Sequence, residues 1–120
     1  MTMMLLSLFY LHSLMIMHRD LNPENILIDE LQSGLFMLKV SNFGISKLFE
    51  DINLRRDVTT AFKTTPAYAS AEAIRGESET QKVDLWALGI IVYQLITGGK
   101  HPFIYKNGGH LMQSVMKDEP

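Results

Sequence analysis

The stretch from Val83 to Thr97 constrains the fold more than any other. Val83, Leu85, Trp86, Leu88, Ile90, Ile91, Val92, Leu95 and Ile96 put apolar side chains around nearly the whole circumference of a helix. Such a helix has no polar face to offer water, so the pattern predicts a central rod buried on most sides. Ser78 and Gln81 stand where a capping box would open it, and Gly98 stands where a left-handed residue would close it. The remaining chain has to supply the shell. A length of 120 residues is enough for one core and hardly for two lobes.

The second informative stretch is His18-Arg19-Asp20-Leu21-Asn22-Pro23-Glu24-Asn25, which runs straight into Ile26-Leu27-Ile28. Pro23 fixes its own φ and pushes Asn22 out of the helical region, so the segment must turn here. The β-branched run that follows predicts a strand anchoring the turn to the core. Asp20 and Asn25 are thereby held together on one loop. A carboxylate there suits orienting a hydroxyl nucleophile, and an amide oxygen beside it suits a hard metal ion. Leu35–Val40 reads as a second strand, with Gly34 in the connection, giving a hairpin beside the loop.

Composition excludes several classes. A net charge of −2 gives no basic footprint for nucleic acid or an acidic membrane. The chain has no cysteine, hence neither a disulfide framework nor a thiolate metal site, and its 4 histidines lack zinc-ligand spacing. Met1–Met17 lacks the charged start of a signal peptide, and Ser7, His12 and Ser13 break it up too much for a membrane span. Leu5, Leu8, Phe9, Leu11 and Leu14 predict a buried helix there instead. These features fit an intracellular, cytoplasmic protein.

Taken together, His18, Arg19, Asp20, Leu21 and Asn25 resemble the catalytic loop of the eukaryotic protein kinases, H-R-D-L-x-x-x-N, and Pro23-Glu24 resembles its serine/threonine branch. Further motifs follow in that family's order. Tyr10-Leu11-His12-Ser13 resembles the end of the helix before the loop. Ser41-Asn42-Phe43-Gly44 resembles the D-F-G motif with its aspartate replaced. Thr65-Pro66-Ala67-Tyr68 resembles the substrate-docking turn, Ser70-Ala71-Glu72 stands where the family has A-P-E, and Asp84-x-Trp86-x-x-Gly89 resembles the central helix of the large lobe.

The resemblance implies a fold and a set of roles. The fold is α+β and mainly helical, an incomplete kinase-like C-terminal lobe over residues 1–120 with a small hairpin beside the catalytic loop. Asp20, Asn22 and Thr65 take catalytic positions. Asn25 and Asn42 take the nucleotide and metal positions for ATP and magnesium. His18, Phe43 and Gly44 shape the loop, and Asp84 supports it through backbone hydrogen bonds. Arg19 would receive a phosphate carried by Thr59 or Thr60 in a basic activation segment. Glu72 would pair with an arginine near the domain's end. With Ala71 in place of proline, and with no such arginine in the sequence, that segment is expected to open and bring Glu72 to water.

Departures from the family matter equally. Asn42 brings no charge to a divalent cation, and Asn22 stands where a lysine is expected. The 120 residues contain neither a glycine-rich loop nor a lysine in a V-A-I-K context. The resemblance therefore implies a serine/threonine kinase-like chain acting toward a protein substrate or partner, inactive by itself. The alternatives are a pseudokinase-type binding module and a non-functional fragment.

Overall fold

The computed structural model describes residues 2–48, 64–103 and 107–117. In chain order its elements are helix α1 (Thr2–Ser13), strands β1 (Ile16–Met17), β2 (Ile26–Glu30), β3 (Phe36–Val40) and β4 (Lys47–Leu48), then helices α2 (Ala71–Arg75), α3 (Lys82–Thr97) and α4 (Gly108–Lys117). Short 3-10 turns lie at Pro23–Asn25 and Pro66–Tyr68. The class is α+β and mainly helical, as the sequence implies.

The hairpin forms. β2 and β3 pair antiparallel from Ile26 opposite Val40 to Glu30 opposite Phe36. Gly34 turns the chain at φ +73, a conformation that costs glycine little. The Leu31 amide donates to the Leu35 carbonyl at 2.7 Å across that turn. A second, two-residue pairing joins β1 to β4, with Ile16 opposite Leu48. Between them these ladders bracket the loop from His18 to Asn25.

Two apolar clusters hold the elements together. In the first, Met4 and Leu8 of α1 meet Leu21 and the Ala87, Leu88 and Ile91 face of α3, with Ile26, Leu38 and Val40 of the hairpin beside them. In the second, Ile90 of α3 meets Phe103 and the Leu111 and Val115 face of α4. Removing this apolar area from water is what fixes α1, α3, α4 and the hairpin to one another.

Four expectations are corrected. The central helix forms, but the described residues cover only one side of it: Leu85, Leu95 and Ile96 are exposed. Trp86 is half-buried rather than enclosed, and stacks on Phe103 with ring centroids 5.9 Å apart. α1 behaves likewise, burying Met4 and Leu8 while Leu5, Phe9 and Leu14 face outward. An apolar pattern without a polar stripe does not specify which side is covered. Nor does a capping box form: α3 begins at Lys82, and the Gln81 side chain donates instead to the His12 carbonyl at 2.9 Å.

The fourth correction concerns the segment around Ala71, which does not open. Ser70 is buried, Ala71–Arg75 forms a helical turn, and Gly76 closes it at φ +66 with its amide donating to the Ala73 and Glu72 carbonyls. Ala73 packs inside, and Ala71 and Ile74 lie against the α4 cluster. That apolar packing, with the glycine cap, replaces what proline would have given. Glu72 is half-buried and forms none of the ion pairs among the described residues.

Candidate functional site

Asp84, at the start of α3, is the post to which the loop is tied. Its side chain is fully buried. Its Oδ2 accepts from the His18 amide at 3.0 Å, and its Oδ1 from the Arg19 amide at 2.8 Å. The His12 Nε2 lies 2.8 Å from the same Oδ2. A buried carboxylate would be costly alone, and here both oxygens are occupied. Both backbone hydrogen bonds come from the His18–Arg19 segment of the loop.

The loop backbone pays for this attachment locally. Arg19 sits at φ +71, a left-handed conformation unfavourable for a long side chain. It is held there from several directions. Besides the amide bond to Asp84, its Nε and Nη2 grip the Glu79 carboxylate at 2.5 and 3.1 Å. The two side chains are only 4% and 13% exposed, so this is a largely desolvated, bidentate pair. Thr59 and Thr60, the expected phosphate carriers for Arg19, lie outside the described residues. Within the described residues the guanidinium already has a carboxylate partner.

His18 is fully buried. Its Nε2 lies 2.8 Å from the Ser41 carbonyl, and its Nδ1 accepts from the Asp20 amide at 3.3 Å. The tautomer carrying its proton on Nε2 satisfies both contacts. Phe43 packs edge-on against the imidazole at 5.0 Å. Together these contacts bind the Ser41–Gly44 segment to the loop.

Asp20, Asn22 and Thr65 come together although 45 positions separate the first and last. Asp20 Oδ1 accepts from the Thr65 hydroxyl at 2.8 Å and from the Thr65 amide at 2.9 Å. Asn22 bridges the pair, its Nδ2 lying 3.2 Å from Asp20 Oδ1 and 3.1 Å from Thr65 Oγ1. Its Oδ1 meanwhile accepts from the Glu24 and Asn25 amides, capping the 3-10 turn that Pro23 begins. Asparagine at this position is thus used through both ends of its amide. A lysine could supply the bridge and a charge but not the cap.

Asn25 and Asn42 also meet. Asn25 donates through Nδ2 to the Asp20 carbonyl at 2.8 Å and to Asp20 Oδ2 at 3.2 Å. Its Oδ1 accepts from Asn42 Nδ2 at 3.2 Å. A magnesium ion does not fit this donor set. Asn42 turns an N–H toward Asn25, and hard cations require oxygen ligands with balancing charge. Among the described residues no group of three or more His, Asp or Glu side chains could hold a metal. No helix there is long and apolar enough to cross a membrane.

Sequence reasoning missed His12 and Glu79. They reach their partners across 72 and 60 positions respectively. His12 lies in the Tyr10-Leu11-His12-Ser13 motif, but nothing in that motif names Asp84 as its partner, and Glu79 lies in no motif at all.

Comparison with known proteins gives the family. Residues 1–119 match the family model of the protein kinase domain. Over 110 residues the chain is 39% identical to the serine/threonine-protein kinase AtPK1/AtPK6 of Arabidopsis thaliana, covering 92% of this chain and 22% of that protein. It is 38% identical over 91 residues to the serine/threonine-protein kinase Nek8 of Danio rerio, covering 76% of this chain and 12% of that one. With the cAMP-dependent protein kinase catalytic subunit 3 of Drosophila melanogaster it shares 40% over 92 residues, or 77% of this chain and 14% of the other. The chain thus spans about a fifth or less of the length of these relatives. A loop tied to a buried helix-borne carboxylate, bearing an aspartate that holds a threonine hydroxyl, is therefore no isolated coincidence of motifs: the chain belongs to the protein kinase family, among serine/threonine kinase relatives.

Proposed function

We propose that this chain carries the acceptor-holding half of a serine/threonine protein-kinase site, and that phosphoryl transfer by the chain itself is negligible. One observation carries the reading: Asp20 Oδ1 holds a side-chain hydroxyl, that of Thr65, at 2.8 Å. A carboxylate so placed orients a substrate hydroxyl and draws on its proton as the oxygen attacks. Thr65 and Asn22 are positioning residues that fix the Asp20 rotamer, and Asp84 fixes the backbone beneath it. In the family, ATP supplies the phosphoryl group. The substrate class is a protein presenting serine or threonine against the Thr65–Tyr68 turn. The pseudokinase-type reading, in which the same surface holds a protein partner without transfer, is favoured by the neutral pair at Asn25 and Asn42.

The test is a graft of this chain beneath the small lobe of a related kinase, assayed with radiolabelled ATP and a generic serine/threonine peptide. Asn42→Asp with Asn22→Lys should raise transfer roughly a thousandfold over the unrestored graft. Asp20→Asn in the restored graft should then remove a hundredfold or more, as is usual for losing a positioned base (about 10² to 10⁴). A restored graft indifferent to Asp20→Asn overturns the reading.

A further inference from the structure

Asn25 and Asn42 occupy the two positions at which the family's motifs hold a cation, yet here they satisfy each other. The orientation of both amides follows from the network around them. Asp20 presents only acceptors to Asn25, its carbonyl at 2.8 Å and its Oδ2 at 3.2 Å. Asn25 must therefore turn its NH2 toward Asp20, which leaves its Oδ1 facing Asn42. An oxygen facing Asn42 at 3.2 Å calls for a donor, and Asn42 supplies Nδ2. The Asn42 Oδ1 is turned the other way, toward Gly44, where a Cβ added to the glycine would meet it at 3.4 Å.

We propose that the Asn42 amide takes the place of a divalent cation in setting this loop: the Asn25–Asn42 hydrogen bond joins the two motifs in a metal-independent form. With aspartate at position 42, two acceptor oxygens would face one another across this gap. Only a proton or a cation between them would relieve the repulsion. With asparagine the gap is bridged by the protein's own N–H, and no charge has to be balanced. Access is not what limits binding, because Asn42 is exposed to solvent. The left-handed backbone of Asn42, at φ +64, is one that aspartate also tolerates, so exchanging the two changes the chemistry and not the fold.

This inference deepens the proposed function, since it gives the reason that transfer is weak. It is read by cation binding, however, and the proposed function by phosphate transfer, so either fails without the other. The experiment is a titration of the full 120-residue chain with Mg²⁺ and with Mn²⁺ alone, followed by thermal melting and by nitrogen–proton spectra of the side-chain amides. In the parent chain, Mg²⁺ should leave the melting midpoint and the Asn25 and Asn42 NH2 signals unchanged. Mn²⁺ should broaden those signals no more than it broadens the backbone amides around exposed Asp29 and Glu30 of the hairpin. In Asn42→Asp, Mn²⁺ should selectively broaden Asn25 and the Asp20 amide, and Mg²⁺ should bind roughly tenfold or more tightly than in the parent, as added ligand charge requires. Selective broadening at Asn25 in the parent overturns the proposal. So does an Asn42→Asp chain no more responsive than the parent, because residue 42 then does not decide the matter. Should that variant fail to fold, the parent titration alone still decides.

Discussion

Replacing Asp84 by asparagine tests the loop's attachment most sharply, because size is kept and only one oxygen is exchanged for NH2. Asp84 accepts from the His18 amide at 3.0 Å and the Arg19 amide at 2.8 Å, with His12 Nε2 at 2.8 Å. Asparagine can satisfy one backbone amide with its remaining oxygen. The other then meets an NH2 group, donor against donor, inside a site from which water is excluded. Losing a hydrogen bond to a buried charge costs about 1.5–3 kcal/mol, and leaving its donor unsatisfied adds to that. Relief from burying the charge offsets part of the sum. A net loss of about 2–4 kcal/mol follows, which for a domain of this size lowers the melting midpoint by roughly 8–15 °C. Melting followed by circular dichroism would measure it, with the His18 and Arg19 amide resonances reporting whether the loop itself has moved. A midpoint within about 2 °C of the parent, which would correspond to well under 1 kcal/mol, would refute the account of Asp84 as the loop's anchor.

Other outcomes follow from the same structure. Trp86→Ala should cost about 2–3 kcal/mol in urea unfolding, less than for an enclosed tryptophan because Trp86 is half-buried on Phe103. Trp86→Phe should stay within about 1 kcal/mol of the parent, since the ring stack survives and a buried Nε1 that finds no partner among the described residues is removed. Glu79→Gln should destabilise the chain by about 2–4 kcal/mol in the same assay, because it leaves the Arg19 guanidinium buried without its countercharge. If a phosphate on Thr59 or Thr60 pairs with Arg19 it has to displace Glu79, so protection from proteolysis at Arg55-Arg56 should be stronger in phosphorylated Glu79→Gln than in the phosphorylated parent. Arg19→Ala should abolish it in both, and equal cleavage in every form would sink the competition.

What was legible in the sequence divides by the range of the interaction. The loop from His18 to Asn25, the hairpin after it and the α3 helix are set by Pro23, by β-branched runs and by apolar spacing, all local signals, and each formed. Asp84 could be placed on α3 because its motif travels with the helix that carries it. The covered side of α3 was not, because an apolar circumference gives no phase, and neither was the outward turn of Leu5 and Phe9 on α1. His12 and Glu79 were invisible for another reason. Their partners lie 72 and 60 positions away, and nothing beside them in sequence announces which residues they meet. The Ala71 segment misled in the opposite direction: a missing proline reads as a loosened turn, whereas packing of Ala73 and Ile74 with the Gly76 cap holds it closed.

The measurement that bears most directly on the central claim is phosphate transfer by the 120-residue chain itself, incubated with radiolabelled ATP, magnesium and a serine/threonine peptide. Asp20 holds the hydroxyl of Thr65, but the Asn25–Asn42 pair offers a cation no charge. The account predicts no peptide labelling above that of the Asp20→Asn chain. Labelling that the parent gives and Asp20→Asn loses would contradict it, for the acceptor-holding half would then be sufficient for transfer.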